Sequence, residues 1–81
     1  MRTASSTDSA RARRSIDVLL ERYVWWREEC NAVEQTYQWW SDCDGGRRAL
    51  AYAAYRAALD REERAASAYA RQIERVSRRY I

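Results

Sequence analysis

Histidine and lysine are both absent from this 81-residue chain. The commonest general base and the commonest Schiff-base nucleophile are therefore missing. What remains for chemistry is two cysteines, a set of carboxylates, and fifteen basic residues, every one of them arginine. Cys30 and Cys43 stand 13 residues apart on what reads as one helix, about 20 Å along its axis. That is far beyond the reach of a disulfide, about 7 Å. No second ligand stands at metal-binding spacing. Cys30 reads as a small core residue and Cys43 as a thiol beside a turn. A bridge between copies through Cys43 is possible but unneeded in the cytoplasm.

Glu62 is the one carboxylate on an otherwise apolar stripe. It is either a buried acid or a polar rung that fixes register, its carboxylate reaching an arginine or accepting from the indole of Trp26. With no second catalytic group beside it, the structural role is preferred. Carboxylates in a helical bundle hold di-iron centres through Glu-x-x-His pairs, and a chain without histidine has none. No cofactor, metal or small-molecule substrate is expected, and an enzyme is the least expected class.

The arginines are more suggestive. Arg11, Arg13 and Arg14 open the first helix, and Arg71, Arg75, Arg78 and Arg79 close the second. A chain folded back on itself gathers all seven at one pole, relieved mainly by Asp17 and Glu74. Arginine near a helix C-terminus complements the macrodipole, which accounts for Arg75, Arg78 and Arg79 without any ligand. The alternative is phosphate binding, to nucleic acid or an anionic membrane surface. No recognised nucleic-acid-binding motif accompanies the cluster.

The elements that position these residues are set by one stretch. Ile16, Leu19, Tyr23, Trp26, Cys30, Val33, Tyr37 and Trp40 are separated alternately by three and four positions. With position a at Ile16 and d at Leu19, this is an unbroken heptad ladder. Tyr52, Tyr55, Leu59, Glu62, Ala66, Tyr69, Ile73, Val76 and Tyr80 make a second. Proline is absent and the only glycines are the adjacent Gly45 and Gly46, so the chain reads as two helices and one turn. The expected order is a flexible tail over 1–8, a helix over about 9–43 capped by Thr7, Asp8 or Ser9, a turn over 44–46 and a helix over about 47–79. The fold class is all-α: an antiparallel two-helix coiled-coil hairpin of left-handed twist.

Folding about Gly46 pairs rungs whose numbers sum to 92. Tyr23 meets Tyr69, Tyr37 meets Tyr55, Trp40 meets Tyr52, Trp26 meets Ala66, and Ala12 meets Tyr80. At the e positions, Glu34 falls near Arg56 and Arg27 near Glu63, opposite in charge. Between Asp17 and Asp44 the net charge is −5, and from Arg47 to Ile81 it is +5. The arms attract each other.

A second apolar flank lies beside the a/d ladder. Val18, Trp25 and Trp39 recur at position c of the first helix. Ala51, Ala54, Ala58, Ala65 and Ala68 fill g and c of the second. The opposite flank is mostly polar, with Leu20 and Val24 as exceptions. A one-sided apolar flank of this kind marks an interface. It predicts burial against a second copy, giving a homodimeric four-helix bundle, or against another helical protein. The narrower reading is that the two tryptophans merely widen the seam.

The outline is similar to that of small secreted helical hairpins of the WXG family, but Ser41 and Asp42 follow Trp40, so the glycine of that motif is missing. Only the coarse architecture is shared. No run approaches the roughly 20 apolar residues of a membrane span, and the polar N-terminus has no signal-peptide core, so the expected location is cytoplasmic. The expected function is that of a non-enzymatic interaction or assembly module, self-associating through the Trp/Ala flank. The alternative is a small nucleic-acid-binding accessory protein using the arginine pole.

Overall fold

A computed structural model describes the backbone of residues 2–80 and the side chains of residues 8–79. Two long helices, α1 (Arg2–Asp42) and α2 (Arg48–Tyr80), are joined by one 3-10 turn at Gly45–Arg47. They lie side by side in a rod of 68 × 15 × 14 Å. No glycine or proline interrupts either helix, and both are rich in alanine and arginine, which favour helix. Helix α1 begins seven residues ahead of the expected start at Ser9, so the helix includes residues 2–8. Extending an existing helix is far easier than nucleating one, and nothing from Arg2 to Ser9 breaks it. Thr7, Asp8 and Ser9 therefore lie inside the helix and not at its cap.

The turn is where the sequence expects it. The Cys43 amide donates to the Trp39 carbonyl at 2.9 Å and closes α1. Asp44 is extended, and Gly45 takes φ +65°. The Arg48 guanidinium donates to the Cys43 carbonyl at 3.4 Å and lies over the Trp40 ring, 5.3 Å from its centroid. Among the described residues only Gly45 uses the left-handed region, which costs other residues about 1–2 kcal/mol. A Cβ at either glycine meets nothing within 4 Å, so sterics do not separate the two sites. Gly45→Ala is expected to lower stability by about 1–2 kcal/mol. Gly46→Ala is expected to be neutral or to raise stability by up to about 1 kcal/mol. Urea unfolding followed by circular dichroism distinguishes the two.

The expected register is present. Ring centroids of Tyr23 and Tyr69 lie 5.6 Å apart, those of Tyr37 and Tyr55 5.5 Å, and those of Trp40 and Tyr52 5.1 Å. Trp26 lies between Tyr69 and Glu62, one turn on either side of Ala66. The rung of Ala12 and Tyr80 lies outside the described side chains.

The facing direction differs from the expected one. The most covered residues of α2 are Ala51, Ala58 and Ala65, each 0% exposed, then Gln72 at 7%. These four are seven residues apart and occupy the g position. The a-position residues Ile16, Tyr23, Tyr37, Tyr52 and Ile73 stay 41–49% exposed. Both helices are thus turned so that d and g, not a and d, meet. Alanine ends at Cβ, so a row of alanines admits the facing helix closely. Bulky a-position rings do not fit that gap and stack along its rim, where tyrosine hydroxyls reach water.

Two corrections follow. The pairs Glu34–Arg56 and Arg27–Glu63 do not form, because the rotation turns all four residues out to solvent. The Arg27 guanidinium lies 6.0 Å from the Trp26 ring centroid instead. An inter-helix ion pair is on the other side, where Arg61 Nε donates to Glu29 Oε2 at 2.9 Å. The second correction concerns the flank read as an intermolecular surface. Ala51, Ala58 and Ala65 are used up inside the hairpin. Val18, Trp25, Ala54 and Ala68 are partly covered, and of this set only Trp39, at 41%, is largely open.

Candidate functional site

The polar centre of the seam is built from Trp26 on α1 and Glu62 on α2. Trp26 Nε1 donates to Glu62 Oε2 at 2.8 Å. The indole stacks on Tyr69, with centroids 5.6 Å apart and planes 17° off parallel, and Tyr23 meets it edge-on at 6.1 Å. The carboxylate is thereby held by one donor against an aromatic wall. Cys30 is partly covered and free. Among the described residues every buried side-chain nitrogen or oxygen has a hydrogen-bond partner. Glu62 has the geometry of a register pin, and nothing reactive converges on it. Cys43 is likewise partly covered and free, and no three potential metal ligands come together among the described residues.

Gln72 is a functional-looking residue that periodicity alone misses. It occupies the fourth place in the row begun by Ala51, and its Nε2 donates to the Ser15 carbonyl at 3.0 Å. The seven-residue spacing of 51, 58, 65 and 72 was the available signal. A polar side chain in that row reads as surface until the rotation of the helices is known.

The arginine pole is real as a place. Arg11 and Arg14 on α1 and Arg75, Arg78 and Arg79 on α2 line a single groove of about 790 Å³ at the open end of the hairpin. Val18 and Gln72 also line it. Arg78 pairs with Glu74 on its own helix at 2.7 Å. Arg13 does not line the groove. Arg71 belongs to a second groove, of about 720 Å³, which it shares with Arg22, Arg64 and Trp25. Val18 and Arg22 are one turn apart on α1, as are Arg71 and Arg75 on α2, so the second groove continues the first along the rod.

A third surface is apolar. Ile16, Leu20, Tyr23 and Val24 follow one another at helical spacing on α1 and keep 42–57% exposure. Ile73, 41% exposed, stands one turn beyond Tyr69 on α2, beside this stripe. Leu20 and Val24 line a shallow apolar hollow of about 460 Å³ between Glu21, Trp25 and Glu28. No helix among the described residues is long and apolar enough to cross a membrane.

Comparison with known protein families, with curated proteins and with solved structures finds no match to this chain.

Proposed function

We propose that this chain is a non-enzymatic helical-hairpin interaction module that self-associates through the Ile16–Val24 stripe. The observation that carries the reading is the exposure of Leu20 (57%) and Val24 (53%) in one continuous stripe with Ile16 and Tyr23. A chain this small leaves much of its apolar surface uncovered when folded alone, and association is the common remedy. The occupant is a second copy. The acidic arm of one hairpin, net −5 over 17–44, complements the basic arm of the other, net +5 over 47–81. Setting each α1 against the α2 of the second copy yields a four-helix bundle in which unlike arms adjoin. The seam within each hairpin then continues as a coiled coil, and the assembly belongs in the cytoplasm. Apolar burial supplies the affinity and charge sets the orientation.

The test is absolute mass by light scattering across a dilution series. Wild type is expected to hold twice the single-chain mass until strongly diluted. Leu20→Glu with Val24→Glu is expected to give single chains of unchanged helicity, because both residues already face solvent within one hairpin. Trp39→Glu, on the flank favoured by sequence reading, is expected to leave the mass unaltered. A wild type that is a single chain at every concentration rules out self-association, and a monomeric Trp39→Glu moves the interface to that flank.

A further inference from the structure

We propose that the arginine-lined flank binds single-stranded nucleic acid, its phosphates held along the two grooves and a base stacked on Trp25. The grooves adjoin the apolar stripe and share Trp25 with its hollow, whereas their arginines lie outside that hollow, so the arginine variants test this reading separately from self-association. Eight arginines line the two consecutive grooves: Arg11, Arg14, Arg75, Arg78 and Arg79 in the first, and Arg22, Arg64 and Arg71 in the second. The acids among them are few. Asp60 and Glu63 border the second groove, and Glu74 is tied to Arg78. Arg11 and Arg14 come from α1, nine and twelve residues after Arg2, and Arg75 and Arg79 from the C-terminal end of α2. The macrodipole acts only within the terminal turn, so it accounts for Arg79 and not for Arg11, Arg14 or Arg75. Like charges gathered from both arms at one pole cost stability unless a polyanion offsets them.

The shape of the flank selects the anion. From Arg11 to Trp25 is about 21 Å along α1, long enough for a run of phosphates and not only for one. Arginine presents a planar fork that matches phosphate oxygens in pairs. Trp25 is partly covered in the second groove among Arg22, Arg64 and Arg71. An aromatic ring set within a basic groove is the arrangement that takes unstacked bases, which a duplex does not offer. A lipid surface fits less well. The grooves are concave, and the exposed aliphatic residues Leu20 and Val24 lie outside both of them.

The experiment is fluorescence anisotropy of a labelled dT oligomer of about 15 nucleotides, titrated with the full chain. With about four phosphates neutralised, affinity is expected to fall about 50-fold between about 50 and 200 mM salt. Arg75→Gln with Arg79→Gln is expected to weaken binding about tenfold at the lower salt and to flatten the salt dependence by about 1.4 in log–log slope. Arg47→Gln with Arg56→Gln removes the same charge outside both grooves and is expected to change binding much less. Trp25→Ala is expected to weaken binding severalfold and Trp25→Tyr to restore it, with circular dichroism verifying that each variant is folded. Three outcomes overturn the proposal: no binding at low salt, equal losses from the two arginine pairs, or tighter binding to phosphatidylserine vesicles than to the oligomer.

Discussion

Ala58→Leu is expected to destabilise the hairpin by about 3 kcal/mol, at the upper end of what overpacking costs. Ala58 is 0% exposed and lies midway along the row formed by Ala51, Ala58 and Ala65. Three further carbons have nowhere to go unless the helices separate, and separation also loosens the contacts at Ala51 and Ala65. For a chain of this size each kcal/mol lowers the thermal midpoint by about 4–8 °C. A fall of roughly 12–24 °C therefore follows. Ala57→Leu, one residue away and exposed, is expected to stay within about 0.5 kcal/mol of wild type. The comparison discriminates between two facings of the same helix. If α2 instead presented its tyrosines inward and its alanines outward, Ala58→Leu would leave the fold's stability nearly unchanged and would alter only its association. Thermal and urea unfolding of the two variants, side by side, is the measurement.

Trp26→Ala is expected to cost about 2–4 kcal/mol, somewhat less than for a fully buried tryptophan. Three contacts go together: the stack on Tyr69, the edge contact with Tyr23 and the hydrogen bond to Glu62. Their separate weights are accessible. Trp26→Phe retains most of the ring contact and deletes the donor, leaving the half-buried carboxylate to find water, at about 1 kcal/mol. Glu62→Gln in the Trp26→Phe background is then expected to recover part of that loss, since a neutral amide is less costly to leave unpaired than a carboxylate. A double-mutant cycle on Trp26 and Glu62 by urea unfolding reads the coupling directly. Additive losses would mean that the hydrogen bond contributes nothing to stability.

The two-helix plan, the turn and the pairing of Tyr23 with Tyr69 and Tyr37 with Tyr55 were all legible in the sequence. Each rests on strong local signals: the heptad spacing, the single glycine pair and the absence of proline. The donation from Trp26 to Glu62 was one of the readings that spacing allowed. The rotation of the helices about their axes was not legible, for a physical reason. Large apolar residues show where hydrophobicity concentrates, but the closest approach of two helices is decided by the smallest side chains. Alanine is both the best helix former and an unremarkable surface residue, so Ala51, Ala58 and Ala65 read as a flank for another chain to cover and not as the seam of their own hairpin. Gln72, polar, disguises the fourth place in the row. From that one rotation come the failure of the Glu34–Arg56 and Arg27–Glu63 pairs, the covering of the alanine flank and the exposure of the a-position residues. The arginine groove was partly legible: five of the seven residues read as a pole share it, whereas Arg71 continues the line toward Trp25 and Arg13 stands apart.

The length of the rod has a hydrodynamic consequence. Its radius of gyration is 18.7 Å, whereas a globule of the same number of residues has about 12 Å, and 18.7 Å belongs to a globule of roughly 280 residues. A gel-filtration column calibrated with globular standards will therefore report one hairpin as several. Small-angle scattering separates the cases. Two hairpins packed side by side double the forward intensity and thicken the cross-section while the radius of gyration barely moves, and two joined end to end nearly double the maximum dimension.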